Sequence, residues 1–238
     1  SHAMCGIAGL VALDHDGRAD EAVVTRMIGT LRHRGPDDEG VWTSGPVGLA
    51  NRRLAVIDLS PRGHQPMANE DGSLHIAFNG EIYNFQDLQR TLETRGHTLR
   101  SGTDTETILH LYEDEGPDCL QRLRGMFAFA IWNRTERTLF IARDRLGKKP
   151  LFYYHDDHWF VFGSEPKALL QHPAVPAEAD PEALHHFLGY GYVPAPFSAF
   201  KGIRKLPPAH YLVLRDRNIT LHRYWSLRYG PKHTGTEA

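Results

Sequence analysis

Cys5 raises the first chemical question in this sequence, because it directly follows Met4, which resembles a start residue. A cysteine at the head of a mature chain can act as a nucleophile that carries its own base. A free α-amine with a pKa of about 8 is well matched to a thiol with a pKa of about 8.5. The alternative is a small buried residue that opens a strand, and both interpretations stay open on this residue alone.

The stretch AFNGEIYN at 77–84 contains a second group of candidate residues. The side-chain amide of Asn79 and the N–H of Gly80, presented together at the end of a strand, would suit an oxyanion hole because both donate to one point. The same Asn-Gly pair is typical of a plain turn between a strand and a helix. The sequence alone leaves these two interpretations open.

Two charged residues could hold the two ends of an α-amino acid. Arg53, expected at the start of a strand in NRRLAVIDLS, offers a bidentate fork for a carboxylate. Asp104, expected at the start of a helix in SGTDTETI, could accept hydrogen bonds from a ligand ammonium or could simply cap the helix. A thiol, an oxyanion hole and these two anchors together describe acyl transfer from the carboxamide of glutamine, with ammonia as the leaving group.

The elements that must position these residues are those of an α+β domain. Apolar residues at helical spacing predict helices over 21–34, 84–96, 104–116 and 181–188. Short apolar runs between turn residues predict strands over 6–13, 47–51, 53–59, 73–78, 126–133, 138–143, 151–155, 159–164, 210–216 and 219–225. This order predicts sheets packed on each other with helices outside. The aromatic- and proline-rich stretch 189–200 is either a lid or docking surface or an irregular packed loop.

Composition and charge exclude several classes of function. The chain has 238 residues, of which 41% are hydrophobic and 24% charged, as is typical of a soluble globular domain. Its formal net charge of -2 gives no electrostatic case for binding nucleic acid or acidic membranes. No apolar run is long enough for a transmembrane helix, and only two cysteines, Cys5 and Cys119, favour a cytoplasmic protein without disulfides.

Motifs for nucleotides and metal ions are absent from the sequence. There is no G-x-x-x-x-G-K-[ST], G-x-G-x-x-G, H-E-x-x-H or C-x-x-C pattern. The 15 histidines are scattered, and the adjacent His185 and His186 cannot both face one metal ion from a helix. The sequence therefore predicts no metal site and no resident cofactor in this chain.

A set of longer motifs spans the chain from Met4 to about Trp225. They are MCGIAG, RHRGPD, NRRLAVIDLS, GHQPM, FNGEIYN, GTDTE, GMFAFAIW, RDRLGKKPLFY and SEPKAL. With this set the sequence resembles the glutaminase domain of class II, N-terminal-nucleophile glutamine amidotransferases, and in particular the asparagine synthetase-like members. The resemblance implies a four-layer αββα sandwich of the N-terminal nucleophile hydrolase type over residues 4–227.

The resemblance also implies the catalytic roles. Cys5 matches the N-terminal nucleophile of the family, and Asn79 and Gly80 match its oxyanion-hole pair. The motifs RHRGPD and RDRLGKKP match strong family markers, for which we expect structural or loop-ordering roles because nothing in them is directly catalytic.

For the substrate, the resemblance implies two sets of contacts. Arg53 matches the residue that holds the α-carboxylate of glutamine, with backbone groups near Val56 and Ile57 lining the same pocket. Glu81 and Asp104 match positions that contact the amino end of the substrate.

The function implied is hydrolysis of L-glutamine through a glutamyl thioester. The ammonia would pass to a separate synthetase domain that aminates aspartate with ATP and magnesium. That domain carries an S-G-G-x-D-S loop, which this sequence lacks. We therefore expect residues 1–3 to be a cloning remnant and 228–238 a polar tail towards a synthetase domain beyond Ala238.

Three expectations follow for the protein as a whole. Because Met4 precedes Cys5, the chain as it stands should hydrolyse glutamine very poorly. The resemblance makes a homodimer plausible, although no sequence feature establishes one. The alternatives are another amide- or lactam-forming enzyme with the same domain, or a glutamine-binding module without turnover.

Overall fold

Two antiparallel sheets of six strands each lie at the centre of the computed structural model, which describes residues 4–230. The first sheet contains, in spatial order, β10 (Arg204–Lys205), β8 (Phe152–His155), β9 (Trp159–Gly163), β1 (Gly6–Ala12), β3 (Val47–Arg53) and β2 (Asp38–Ser44). The second contains β12 (Asn218–Arg223), β11 (His210–Arg215), β7 (Thr138–Arg143), β6 (Gly125–Asn133), β5 (Leu74–Ile82) and β4 (Met67–Ala68).

The helices form the two outer layers. The described residues contain α1 (Glu21–Gly29), α2 (Phe85–Thr94), α3 (Asp104–Glu115), α4 (Cys119–Arg122), α5 (Pro166–Leu169) and α6 (Pro181–Tyr190). The helices α1 and α5 share a buried apolar cluster with the first sheet, and α2, α3 and α4 share another with the second. A third cluster fills the space between the sheets. The predicted four-layer αββα sandwich is therefore confirmed.

Alternation along the strands explains why each sheet is covered on both faces. In β5, Ile76 and Phe78 point towards the helices, whereas Ala77 belongs to the core between the sheets. Ala128 and Ala130 of β6 lie in the same central core. The side-chain period of a strand is two residues, so a strand buried on both faces has apolar residues at nearly every position.

The strand predicted over 53–59 is wrong. Strand β3 begins at Val47 and ends at Arg53, so Arg53 closes a strand where it was expected to open one. Residues 54–60 then form an irregular loop, because the guanidinium of Arg53 donates to backbone carbonyls inside it and curls the chain around itself. Apolar residues such as Val56 read as strand positions in the sequence, yet Val56 is exposed.

The predicted end of a strand before Asn79 and Gly80 is also wrong. Strand β5 continues to Ile82, with Asn79 paired with Ala128 and Gly80 paired with Phe127 of β6. The pairing of β5 with the long strand β6 overrides the local turn preference of the Asn-Gly pair.

Smaller differences concern element ends. The strand β2 was not predicted, and α1 ends at Gly29 rather than at residue 34. The N-cap of α3 is Thr103, whose hydroxyl accepts the N–H of Glu106, and not Asp104 as the sequence suggested. The predicted remnant 1–3 and most of the predicted tail, 231–238, lie outside the described residues.

The remaining structure bears on two broader expectations. Residues 191–199 contain no helix or strand, and both the lid or docking surface and the packed loop stay predictions there. Among the helices within residues 4–230, none is long and apolar enough to cross a membrane.

Candidate active site

A cavity of about 300 Å³ opens where β1 begins and β3 ends. These two ends meet because β1 and β3 are antiparallel, with Gly6 paired with Arg52. All eight residues singled out from the sequence line this cavity: Cys5, Arg53, Val56, Ile57, Asn79, Gly80, Glu81 and Asp104. The fold therefore brings residues from four separate stretches of the chain to one place.

The thiol of Cys5 is held by the backbone of Leu54. The Leu54 N–H donates to the Cys5 Sγ at 3.3 Å, and the Sγ lies 3.7 Å from the Leu54 carbonyl oxygen. Burial raises the pKa of the Cys5 thiol, while the bond from Leu54 and the positive charge of Lys149 lower it. The thiol thus needs a proton acceptor close by if it is to attack a substrate at neutral pH.

The RHRGPD and SEPKAL motifs position the segment that carries the thiol. Arg34 donates from Nε to the Cys5 carbonyl at 3.0 Å and from a terminal nitrogen to Glu165 at 2.9 Å. The Ser164 hydroxyl accepts the N–H of Ile7 at 2.9 Å. These contacts support the structural role that the sequence suggested for RHRGPD.

Strand β5 presents a row of backbone N–H groups to the cavity. One edge of β5 pairs with β6, and the other edge pairs with β4 only over two residues. On this second edge, the Phe78 N–H donates to Gln65 at 2.7 Å and the Ile82 N–H donates to Asp104 at 3.0 Å. Gly80 lies between them and points the same way, because backbone groups alternate sides along a strand. Its partner Phe127 directs its own N–H and carbonyl to Asp144 on the opposite side. The Gly80 N–H therefore faces the cavity.

Asn79 lines the same cavity and carries an amide that is available as a second donor. Asn79 is fully buried, and within residues 4–230 neither its Nδ2 nor its Oδ1 has a hydrogen-bond partner. An unpaired buried amide is costly, and such groups are rare in folded proteins. Gly80 has no room for a side chain, since a Cβ would lie 2.3 Å from the Met126 carbonyl oxygen. This pair can receive an anionic oxygen.

Arg53 lines the same cavity. Its guanidinium donates to the carbonyls of Ile57 at 3.1 Å, Ser60 at 3.3 Å and also Asp58. It packs against Gly63, where a Cβ would lie 2.0 Å from the Arg53 terminal nitrogen. These bonds hold the loop so that Val56 and Ile57 line the cavity.

Two carboxylates complete the wall beside β5. Asp104 is buried, and burial is the main reason that its pKa rises to about 6, against the opposing effect of the bond from Ile82. Glu81 is half-buried and lines the same cavity. A ligand ammonium placed here would stabilise the ionised form of Asp104.

Lys149 is a cavity residue that the sequence reasoning missed. The RDRLGKKP loop is ordered as predicted, because Asp144 accepts the N–H groups of Leu146, Lys148 and Lys149. Lys149, however, is buried beside Cys5, and its Nζ lies 3.0 Å from the Sδ of Met4. Burial lowers the pKa of Lys149. The only sequence signal was its place in a family marker.

Comparison with known proteins identifies the family to which this domain belongs. Residues 4–225 match the family described as a glutamine amidotransferase domain. The chain belongs to this family. Two relatives of the domain are asparagine synthetases [glutamine-hydrolyzing] of Bacillus subtilis, numbers 3 and 2. They are 42% and 38% identical over 97% and 94% of this chain. The chain covers 38% and 31% of their lengths, so the amidotransferase domain is less than half of either relative.

A solved structure agrees on the fold of the domain. The glutamine phosphoribosylpyrophosphate amidotransferase of Bacillus subtilis superposes with a TM-score of 0.67 at 20% sequence identity. The match covers 93% of this chain and 49% of that protein. The layered sandwich is thus shared at a level of identity where only the fold can be compared.

Proposed function

We propose that this domain hydrolyses L-glutamine to glutamate and ammonia, with Cys5 as the nucleophile. The observation that carries the proposal is that Cys5, Asn79 and Gly80 line one cavity, and that the Asn79 amide has no hydrogen-bond partner within residues 4–230. Arg53 and Asp104 flank the same cavity with opposite charges. That arrangement fits an α-amino acid whose side chain reaches the thiol.

In the first step, the thiol proton moves to the α-amine of Cys5, and the sulfur forms a bond to the carboxamide carbon of glutamine. The carbonyl oxygen gains negative charge and is held by the Asn79 Nδ2 and the Gly80 N–H. Two fixed donors aimed at this oxygen lower the barrier, because they need no reorganisation when the charge forms. Arg53 holds the α-carboxylate, and Glu81 and Asp104 hold the α-ammonium.

In the second step, the protonated amine returns its proton to the departing nitrogen, the carbon–nitrogen bond breaks, and ammonia leaves. A water molecule then attacks the thioester, with the same amine accepting its proton, and glutamate is released with the thiol restored. The chemistry requires Cys5 to be the first residue. While Met4 precedes Cys5, the nitrogen is an amide that cannot accept a proton, and Met4 itself lines the cavity.

Beyond this domain, we propose that ammonia serves a synthetase domain of the same protein, which would use ATP and magnesium to aminate aspartate. The proposal is supported by the larger size of the two asparagine synthetases. Another amide- or lactam-forming partner is the alternative, because the acceptor binds outside this domain. A two-domain organisation over 4–227 and beyond, a homodimer and a cytoplasmic location stay predictions.

The decisive experiment measures glutamate release by two forms of the chain, one beginning at Cys5 and one with Met4 in front of it. We expect turnover only from the first form, and none from its Cys5→Ala variant. Glutamine binding by calorimetry should persist in Cys5→Ala. Binding without turnover in the form that begins at Cys5 would support the binding-module alternative, and equal rates for the two forms would contradict the role of the α-amine.

A further inference from the structure

Two histidines and a glutamate meet outside the active site, where the segment after α2 packs against the second half of α3. The ligand atoms of His97, His110 and Glu113 all lie within 4.8 Å of one another. We propose that these three residues form a binding site for one divalent transition-metal ion of the Zn²⁺ type. No sequence motif predicted this site, because His97 lies on a different element from the other two residues.

The spacing within the trio suits coordination. The Nδ1 of His110 lies 3.2 Å from the Oε2 of Glu113, which is close to the separation of two ligands around a tetrahedral zinc ion. The rings of His97 and His110 have centroids 4.7 Å apart. His110 is almost completely buried, with a side-chain exposure of 1%, whereas Glu113 is 36% exposed and leaves an entry path. Small side-chain movements would therefore close the site around an ion.

Each histidine has a carboxylate at its other ring nitrogen. The Nε2 of His97 lies 2.9 Å from the Oδ1 of Asp114, which leaves its Nδ1 without a carboxylate partner among the described residues. The Nε2 of His110 lies 3.7 Å from Glu106 and 3.5 Å from Glu70. His97 therefore has the arrangement usual for metal-binding histidines, whose second N–H donates to a carboxylate that fixes the tautomer and the ring orientation, and His110 has carboxylates nearby at its second nitrogen.

These carboxylates are themselves held in place. Asp114 pairs with Arg95 at 3.0 Å. Glu106 accepts the N–H of Arg100 at 2.8 Å and both the N–H and the hydroxyl of Ser101 at 2.6 Å. The groups that would orient the histidines thus need no rearrangement when an ion binds.

Charge and ligand type favour a transition metal. Four carboxylates surround the two rings, from Glu70, Glu106, Glu113 and Asp114, and Arg95 neutralises only part of this charge. Two imidazoles with one carboxylate suit zinc, cobalt or nickel, whereas magnesium and calcium prefer oxygen ligands throughout. The alternative to a metal ion is a proton on His110, which would make it a buried imidazolium held by the same carboxylates.

The test uses the chain without a histidine tag in a Cys5→Ala background, so that the active-site thiol cannot bind the ion. Zn²⁺ binding is measured by calorimetry in a competing chelator, and Co²⁺ binding by its visible absorption. We expect one tight site. We expect His97→Asn and Glu113→Gln to weaken it at least tenfold, and Mg²⁺ not to compete. Because the background cannot turn over glutamine, the result is independent of the proposed glutaminase.

His158→Asn is the control, because His158 pairs with Asp14 at 3.0 Å as an exposed histidine–carboxylate pair outside the trio, and it should leave binding unchanged. Circular dichroism of the metal-free variants checks that they fold. Zn²⁺ affinity that His97→Asn and Glu113→Gln leave intact would overturn the proposal. Zn²⁺ binding by the parent chain that is no tighter than binding by these variants, or equal competition by Mg²⁺, would overturn it as well. A protonated His110 would then explain the cluster.

Discussion

The carboxylate of Asp104, the first residue of α3, accepts a hydrogen bond from the backbone N–H of Ile82, the last residue of β5, at 3.0 Å. The contact fixes the start of the helix beside the strand that carries Asn79 and Gly80. It leaves the rest of the carboxylate facing the cavity. Burial raises its pKa to about 6, so its charge changes within an accessible pH range.

Glutamine binding should weaken below about pH 6. An ammonium is attracted by the ionised carboxylate of Asp104 and not by the protonated form, so KM for glutamine should rise as the pH falls through the pKa of about 6. Asp104→Asn should raise KM at neutral pH and remove this dependence. Initial rates between pH 5 and 8, with the chain that begins at Cys5, measure both. A variant that keeps the wild-type KM profile would contradict the assignment.

The same residue should make stability fall as pH rises. The pKa of Asp104 is raised in the folded state from 3.8 to about 6, so the folded state binds the proton more tightly than the unfolded state. Its contribution is fully present below pH 3.8 and is lost by about pH 6, on the order of 3 kcal/mol at 1.36 kcal/mol per pKa unit. Urea unfolding at pH 4 and 7 gives the pH dependence of the free energy of unfolding for the chain and for Asp104→Asn. The contributions of other titrating groups cancel when the two proteins are compared.

Asn79→Ala should remove activity without removing stability. The Asn79 amide has no partner in the described part of the chain, so truncation breaks no hydrogen bond, whereas kcat should fall about 100- to 1000-fold. Asn51→Ala is the control, because Asn51 donates to the Phe78 carbonyl at 2.9 Å. Leaving that carbonyl unpaired should cost about 1–3 kcal/mol. The idea fails if Asn79→Ala unfolds more easily than Asn51→Ala and keeps its kcat.

Arg53→Lys should raise KM for glutamine by at least about tenfold, because lysine cannot hold the loop carbonyls and a carboxylate together through a planar fork. The loss of bonds to Ile57 and Ser60 should also loosen residues 54–60. Steady-state kinetics and hydrogen exchange in this loop measure the two effects. Arg52→Lys, the neighbouring change at a residue that pairs with Glu39, should leave KM near the wild-type value.

Lys149→Met should raise the pKa of the Cys5 thiol, because the positive charge of Lys149 is one of the groups that lower it. Thioester formation in the chain that begins at Cys5 should slow at pH 7 and recover at higher pH. Single-turnover rates against pH measure the shift, and Lys149→Arg should restore it. Lys148→Met changes an exposed neighbour and should have no effect. A uniform loss at every pH would indicate a merely structural role.

Local spacing was sufficient for much of the fold. The helical repeat around Leu88 and Leu92 and the strand run at 126–133 correspond closely to α2 and β6. These predictions succeed because a period of 3.6 or 2 residues is set by the backbone itself. The strand predicted over 53–59 fails for the converse reason, since the bonds from Arg53 that curl the loop depend on one side chain and not on a repeat.

The sequence by itself predicted the layered α+β class and, through residue types and the motifs that carry the family resemblance, eight of the residues that line the cavity. Only the tertiary structure decided how these residues act together. Leu54 and Cys5 meet across 49 positions, and β5 runs through Asn79 because β6 pairs with it. The tertiary structure alone also brings Lys149 close to Cys5 and His97 close to His110. Contacts between distant segments follow from packing of whole layers, which no local pattern encodes.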